Sequence, residues 1–106
     1  MTKIRICWEE PELTASGHAG GAPQGQNIIC AGISAITMAL LNAIRMEMDE
    51  GPAFSWEIRE DTGYLKIKVA PNEMMRPKIM NYFEMAYIGL KAIEQENPEE
   101  ISIEEV

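Results

Sequence analysis

Apolar and polar residues alternate at the beginning of the chain, a pattern typical of β-strands with one buried face. The alternation predicts one strand over residues 3–8 and a second over residues 12–17, with a break at Pro11 between them. The apolar positions are Ile4, Ile6 and Trp8 in the first strand and Leu13 and Ala15 in the second. Each strand is therefore expected to turn one face toward a hydrophobic core.

A glycine-rich segment and a long apolar helix come next. The glycines and Pro23 predict a mobile loop over residues 19–26. Asn27 is a good N-cap, and a helix is expected from there to about Met48. Its first four turns are apolar nearly all round, whereas a surface helix has a single apolar stripe. We therefore expect this helix to be covered on more than one side, which in so short a chain favours a homodimer.

The alternation returns in the second half of the chain. Phe54, Trp56 and Ile58 lie on one face of the first run. Leu65, Ile67 and Val69 lie on one face of the second run. The turn-forming sequence at 60–63 lies between the two runs. Together they predict a β-hairpin with one buried face.

A second helix and a short last strand complete the pattern. The helix opens between Asn72 and Pro77 and ends at Asn97, before Pro98, and its core-facing residues recur at helical spacing. These residues are Ile79, Phe83, Ala86, Tyr87, Leu90 and Ile93. Ile101 and Ile103 suit an optional final strand.

The order of elements is therefore β-β-α-β-β-α, with an optional last β. It predicts a single domain over residues 1–106 of the α/β class. The expected architecture is a two-layer sandwich, with two helices on one face of a mainly antiparallel sheet. The order of the strands in that sheet does not follow from the sequence.

Composition limits where the protein works. The longest apolar run, Ile28 to Leu41, has 14 residues, which is too short for a bilayer and suits a buried helix. The N-terminus has no signal-peptide pattern, and the chain has two cysteines. We therefore expect a cytoplasmic protein with free thiols and no contact with a membrane.

Charge limits its partners. Nine lysines and arginines stand against seventeen acidic residues, giving a net charge of −8. Direct binding to nucleic acid is disfavoured, because such proteins carry a basic face. The acidic surface either favours a basic protein or peptide partner or only keeps the protein in solution. Nothing in the sequence indicates a cofactor or a metal site.

Cys30 is the first candidate for chemistry. With Asn27 as N-cap, Cys30 is the third helical residue and stands in the first turn. The unpaired N–H groups and the helix dipole there stabilise a thiolate and could also stabilise an oxyanion. The alternative is that Cys30 is an ordinary small core residue.

His18 is the only histidine in the chain and lies twelve residues before Cys30. One imidazole can take the proton of a thiol and later give a proton to a leaving amine. Gly17 and Ala19 beside it leave room for a substrate backbone, and the glycine-rich loop is long enough to bring the ring back to the helix. The residues alone leave open whether His18 is instead a surface or core side chain. Cys7 has no such base near it in sequence.

The motifs around these two residues resemble those of a known family. The sequence GHA at 17–19, a glycine-rich loop, and then G-Q-N-I-I-C-A-G-I-S-A at 25–35 are similar to the pattern of the ribosomal-processing cysteine proteases called Prp. The second half, a hairpin and a long helix, also fits that family, so the resemblance spans essentially the whole chain.

The resemblance implies a dimeric α/β cysteine endopeptidase. Enzymes of this family remove the N-terminal extension of large-subunit ribosomal protein twenty-seven, an apolar and aromatic segment that precedes a basic protein. The family's histidine and cysteine form a catalytic dyad and match His18 and Cys30. Gly17, Gly25 and Ser34 match other motif positions, and Ser34 lies one turn after the cysteine, on the same helical face.

One motif position differs from the family pattern. Asn27 stands where the family usually has aspartate. Asparagine caps a helix about as well, so the helix is expected to keep its start. A negative charge near the dyad is lost, however, and this charge could have raised the pKa of His18. Two alternatives to an active endopeptidase therefore stay open: a non-catalytic Prp-like dimer that binds peptide, and a small RNA-binding module of the ribosome, which the acidic charge disfavours.

Overall fold

The chain folds into a five-stranded sheet and two long helices. The computed structural model describes residues 1–17, 28–50 and 54–106. The elements are, in chain order, β1 (Thr2–Cys7), β2 (Glu12–Ser16), α1 (Ile28–Glu50), β3 (Phe54–Asp61), β4 (Tyr64–Pro71), α2 (Arg76–Glu96) and β5 (Ile101–Glu105). This confirms the predicted order, including the optional last strand.

The sheet has the order β3-β4-β2-β1-β5, which the sequence could not supply. The pairs β1–β2, β2–β4 and β3–β4 are antiparallel, and only β1–β5 is parallel. The sheet is therefore mixed but mainly antiparallel, as expected. The hairpin is longer than predicted, because Glu60 and Asp61 belong to β3 and the turn contains only Thr62 and Gly63. Gly63 takes a positive φ of 72°, so one glycine is enough to reverse the chain.

One face of the sheet forms a core with both helices. Buried side chains alternate along β1, and the cross-strand partners of these residues lie on the same face. Phe83 and Leu90 of α2 and Leu41 and Ile44 of α1 have no accessible surface and complete this core. The two helices therefore pack on one face, and the other face of the sheet carries polar and charged residues.

Within the described residues of one chain, α1 is covered along one side, so the predicted cover on a second side, which a homodimer would supply, stays a prediction. Within the described residues, α1 buries one stripe, which contains Ile33, Thr37, Leu40, Leu41, Ile44 and Glu47. The outer side of α1, including Ala35, Ala39 and Met46, is exposed. From Ile28 to Met48 the helix is long and apolar enough to cross a membrane by length and composition alone. Core helices pass the same test, and this helix contributes to the core.

A buried carboxylate joins the two helices near the C-terminal end of α1. Glu47 is 8% exposed and accepts a hydrogen bond of 2.7 Å from the Tyr82 hydroxyl. Lys78 Nζ lies 2.9 Å from the same carboxylate oxygen. The bonds from Lys78 and Tyr82 hold the pKa of Glu47 below its ordinary value, against the opposing effect of burial. The charged form of Glu47 therefore stabilises the packing of α1 on α2.

We predict that Glu47→Gln lowers the free energy of unfolding by about 1–3 kcal/mol at neutral pH, because an ionised acceptor is lost from a buried site. A carboxylate with a lowered folded-state pKa stabilises the fold above its unfolded pKa, and this contribution disappears as pH falls through the folded pKa. The deficit of the variant should therefore shrink in acid.

The measurement is denaturant unfolding of the wild-type protein and of Glu47→Gln, from neutral pH down through the folded-state pKa of the Glu47 carboxyl. Glu84→Gln is the matched control, because Glu84 is an exposed glutamate of α2. A Glu47→Gln deficit that stays constant into acid, or a deficit no larger than that of the control, would contradict the stabilising role of the charge.

Candidate active site

The first turns of α1 form one wall of a cleft of about 270 Å³. Cys30, Ser34 and Met38 line this wall. Gly17, at the end of β2, lines it too, and so do Asp61 and Tyr64, on either side of the β3–β4 turn. The cleft therefore joins parts of the chain that are far apart in sequence.

Cys30 stands where the sequence placed it. Because α1 begins at Ile28, Cys30 is the third residue of the helix, and its side chain is half-buried at the edge of the cleft. The N–H groups of a first helical turn have no carbonyl partners within the helix, so they are available to a negative charge. A nucleophilic sulfur and donors for an oxyanion can therefore share this helix terminus.

Cys7 is remote from this cleft. It ends β1, whereas Thr2, at the other end of the same strand, lines the cleft. Five residues of strand span about 17 Å. No disulfide involves Cys7 or Cys30. Of the two thiols, only that of Cys30 belongs to the cleft.

Gly17 has a stereochemical role that the sequence did not reveal. Its φ of 87° is in the region that favours glycine, and a Cβ at this position would lie 2.5 Å from the carbonyl oxygen of Met1. Its N–H donates a hydrogen bond of 3.0 Å to the Gly63 carbonyl oxygen. These contacts fix where the chain leaves β2, immediately before His18.

Ser34 and Thr37 lie on the same side of α1 as Cys30, about one and two turns further along the helix. Ser34 is exposed and lines the cleft, one turn after Cys30, and its part in the chemistry stays a prediction. The sequence motif did not indicate Thr37 as a site residue, although it is seven residues after Cys30 and thus on the same side of the helix. Its buried hydroxyl donates to the Ile33 carbonyl oxygen at 3.0 Å, so it satisfies its own polar group within the helix.

Three further residues of the cleft come from the hairpin and carried no sequence signal. They are Glu60 and Asp61, the last two residues of β3, and Tyr64, the first residue of β4. Arg45 of α1 binds Glu60, and Arg59 Nε donates to Asp61 Oδ2 at 2.6 Å. Only the folded hairpin places these groups beside Cys30.

His18, Gly25 and Asn27 lie outside the described residues, as does the predicted loop over 19–26. Of the candidate dyad, the structure therefore describes Cys30. It also describes Gly17, the residue next to His18. The predicted roles of His18, Gly25 and Asn27 stay predictions.

The comparisons with known proteins agree with the motif. Residues 1–102 match the family model described as cysteine protease Prp. A protein of Mycoplasma pneumoniae named ribosomal processing cysteine protease Prp is 29% identical, over 96% of this chain and 94% of its own. A Bacillus subtilis protein of the same name is 28% identical over 83% of this chain and 79% of its own.

This chain belongs to the Prp family of cysteine proteases.

A solved structure confirms the fold. The ribosomal processing protease Prp of Staphylococcus aureus, in complex with a covalently linked product peptide, superimposes with a TM-score of 0.81. The match covers all of both chains at 22% identity. The mixed five-stranded sheet with two helices is thus the fold of a Prp structure.

We predict that Gly17→Ala impairs this Prp-family protein in both stability and proteolysis. A positive φ costs a non-glycine residue about 1–2 kcal/mol, and the new methyl group would also displace the Met1 carbonyl. Because the displaced backbone borders the cleft, peptide cleavage should fall by more than the loss of folded protein explains. The measurements are thermal unfolding and cleavage rate per folded molecule.

Gly32→Ala is the matched control. A Cβ at Gly32 would meet only the Cδ1 atom of Ile93, at 3.4 Å, and alanine favours a helix. Equal behaviour of the two variants would show that the backbone of Gly17 does not shape the site.

Proposed function

We propose that this protein is an active endopeptidase in which Cys30 is the nucleophile and His18 the general base and acid. Its proposed substrate is the N-terminal extension of large-subunit ribosomal protein twenty-seven. The observation that carries the proposal is the shared cleft: Cys30 lines it from the first turn of α1, and Gly17, the neighbour of His18, lines it from β2. Chain connectivity thus supports a histidine close to the thiol.

The proposed reaction has two stages. His18 takes the proton of the Cys30 thiol, and the thiolate attacks the scissile carbonyl carbon. The first-turn N–H groups stabilise the resulting oxyanion. The imidazolium then protonates the leaving amine, the C–N bond breaks and a thioester remains. Water, deprotonated by the imidazole, adds to the thioester and releases the acid and the thiolate.

The lining of the cleft supports an apolar extension joined to a basic protein. Ile33, Met38 and Leu65 offer apolar surface for the side chains of the extension. Glu60 and Asp61 line the same cleft, and the whole chain carries a net charge of −8, which favours a basic partner. The relatives named above are called ribosomal processing proteases, which favours the same substrate class and a cytoplasmic location.

A homodimer is the proposed assembly. The outer surface where α1 meets α2 has a groove of about 350 Å³ that is almost entirely apolar. Met85 of α2 lines this groove and is 72% exposed. Gly89 lets the helices approach closely beside it, since a Cβ there would lie 2.9 Å from Ile36 Cδ1. A second copy would supply the cover that the apolar side of α1 lacks in one chain.

We predict that Cys30→Ala and Cys30→Ser abolish cleavage of a peptide that spans the extension and the start of the mature ribosomal protein. Cys7→Ser is the matched control and should keep nearly all activity, because Cys7 is at the far end of β1 from the cleft. Mass spectrometry of the products gives both the rate and the cut site. If the Cys7→Ser protein is as inactive as Cys30→Ala, the proposed nucleophile is wrong.

The same assay tests the non-catalytic alternative. A protein that only binds peptide would hold the intact peptide without releasing products, and its behaviour would not change in Cys30→Ser. The loss of the family's aspartate at Asn27 is the feature that favours this alternative.

We predict that the 11.9-kDa chain sediments as a dimer at micromolar concentration and that Met85→Glu converts it to a monomer. A carboxylate in the middle of an apolar interface would be buried without a partner. Met74→Glu is the control, because Met74 is 87% exposed in the segment before α2 and does not line the groove. A wild-type monomer would contradict the proposed assembly, and a dimer that persists in Met85→Glu would place its interface elsewhere.

A further inference from the structure

The two edges of the sheet differ in how their backbone groups are satisfied. β3 and β5 are the outermost strands. An edge strand presents N–H and C=O groups that can bind a further extended chain. Such strand addition is a common way for proteins to bind peptides, with main-chain hydrogen bonds supplying affinity.

The β5 edge is occupied by a side chain of the protein itself. The Ile103 N–H donates a hydrogen bond of 2.7 Å to Glu94 Oε2, so this group binds α2 rather than a neighbouring strand. Lys91 Nζ lies 2.8 Å from Glu94 Oε1 and holds the carboxylate in place. At the end of β5, Glu105 accepts hydrogen bonds from Trp8 and Tyr87. A peptide would have to displace Glu94 to pair along this edge.

The β3 edge has no comparable cover in the described part of the chain. β3 pairs with β4 over eight consecutive residues without a bulge. Among residues 1–17, 28–50 and 54–106, no strand pairs with the outer side of β3. The strand is thus regular enough to accept a partner along its length.

The open edge leads into the cleft of Cys30. Glu60 and Asp61 are the last two residues of β3, and both line the cleft. Arg45 binds Glu60 and so ties α1, the helix that carries Cys30, to this end of the strand. A chain paired with β3 would therefore continue into the space beside the nucleophile.

We propose that the substrate peptide binds as a sixth strand along the open edge of β3, and that this pairing delivers the scissile bond to Cys30. The inference rests on the proposed protease function. It commits to a peptide rather than a second copy of β3, because this edge ends at the cleft that Cys30 lines, where a chain to be cut must lie.

Amide hydrogen exchange on the Cys30→Ala protein, followed by NMR, tests the pairing without turnover. An added strand bonds to every second N–H of an edge strand. With the substrate peptide at 100 times its Kd, exchange at alternate amides of residues 55–61 should slow by about 100-fold, since these amides are exposed only when the peptide leaves. The Ile103 amide serves as the internal control and should not change.

The other outcomes separate this inference from the proposed function. If the peptide binds and wild-type protein cuts it, but the β3 amides show no alternating protection, strand addition is wrong and the protease function stands. If alternating protection is present without peptide and grows with protein concentration, the edge belongs to a second copy, which overturns the inference. A peptide that neither binds nor is cut overturns both the inference and the proposed substrate.

Discussion

The burial of one stripe of α1 determines the direction in which its first turn points. Ile33, Leu40, Leu41 and Ile44 are almost completely removed from solvent in a core shared with the sheet and α2. Burial of such side chains contributes about 1.5–3 kcal/mol each, so rotation of the helix about its axis would be costly. With the rotation fixed, Cys30 and Ser34 must face the cleft. Cys30, near the end of the helix, is thus held in place by apolar contacts several turns away.

The opposite wall of the cleft depends on hydrogen bonds and backbone shape rather than on apolar burial. Gly17 bonds to Gly63, and both residues have positive φ. The end of β2 and the β3–β4 turn are therefore held together at the place where the chain continues to His18. Arg45 and Glu60 connect this wall to α1, so the two sides of the cleft have a defined separation.

Charge and apolar surface are distributed unevenly around this framework. Carboxylates lie at the cleft and at the C-terminal end of α2 and β5, while the exposed apolar surface lies on the outer side of the helices. The two sheet edges also differ. Glu94 bonds to the edge strand β5, whereas no strand among the described residues pairs with the outer side of β3. The proposed substrate strand and the proposed dimer interface would therefore lie on different faces of this small protein.

The sequence by itself determined the elements and indicated Cys30 as the candidate nucleophile. Alternation at Ile4, Ile6 and Leu13 and the helical spacing from Ile79 to Leu90 are local properties, because strand and helix periodicity place these residues on one face wherever the element lies. The motif around Cys30 indicated the family through its resemblance to the Prp pattern, and such a motif consists of residues close together in sequence.

Only the tertiary structure decided the strand order, the exposure of the outer side of α1 and the far wall of the cleft. Glu60 and Tyr64 line the same cleft as Cys30 because β4 pairs with β2 and β2 pairs with β1, and no local pattern encodes those pairings. Gly17 could be seen in the motif, but the reason it must be glycine is the Met1 carbonyl, which the β1–β2 register brings against it. Contacts between residues distant in sequence depend on the packing of all the elements at once. The pattern of apolar and polar residues along the chain therefore did not reveal them.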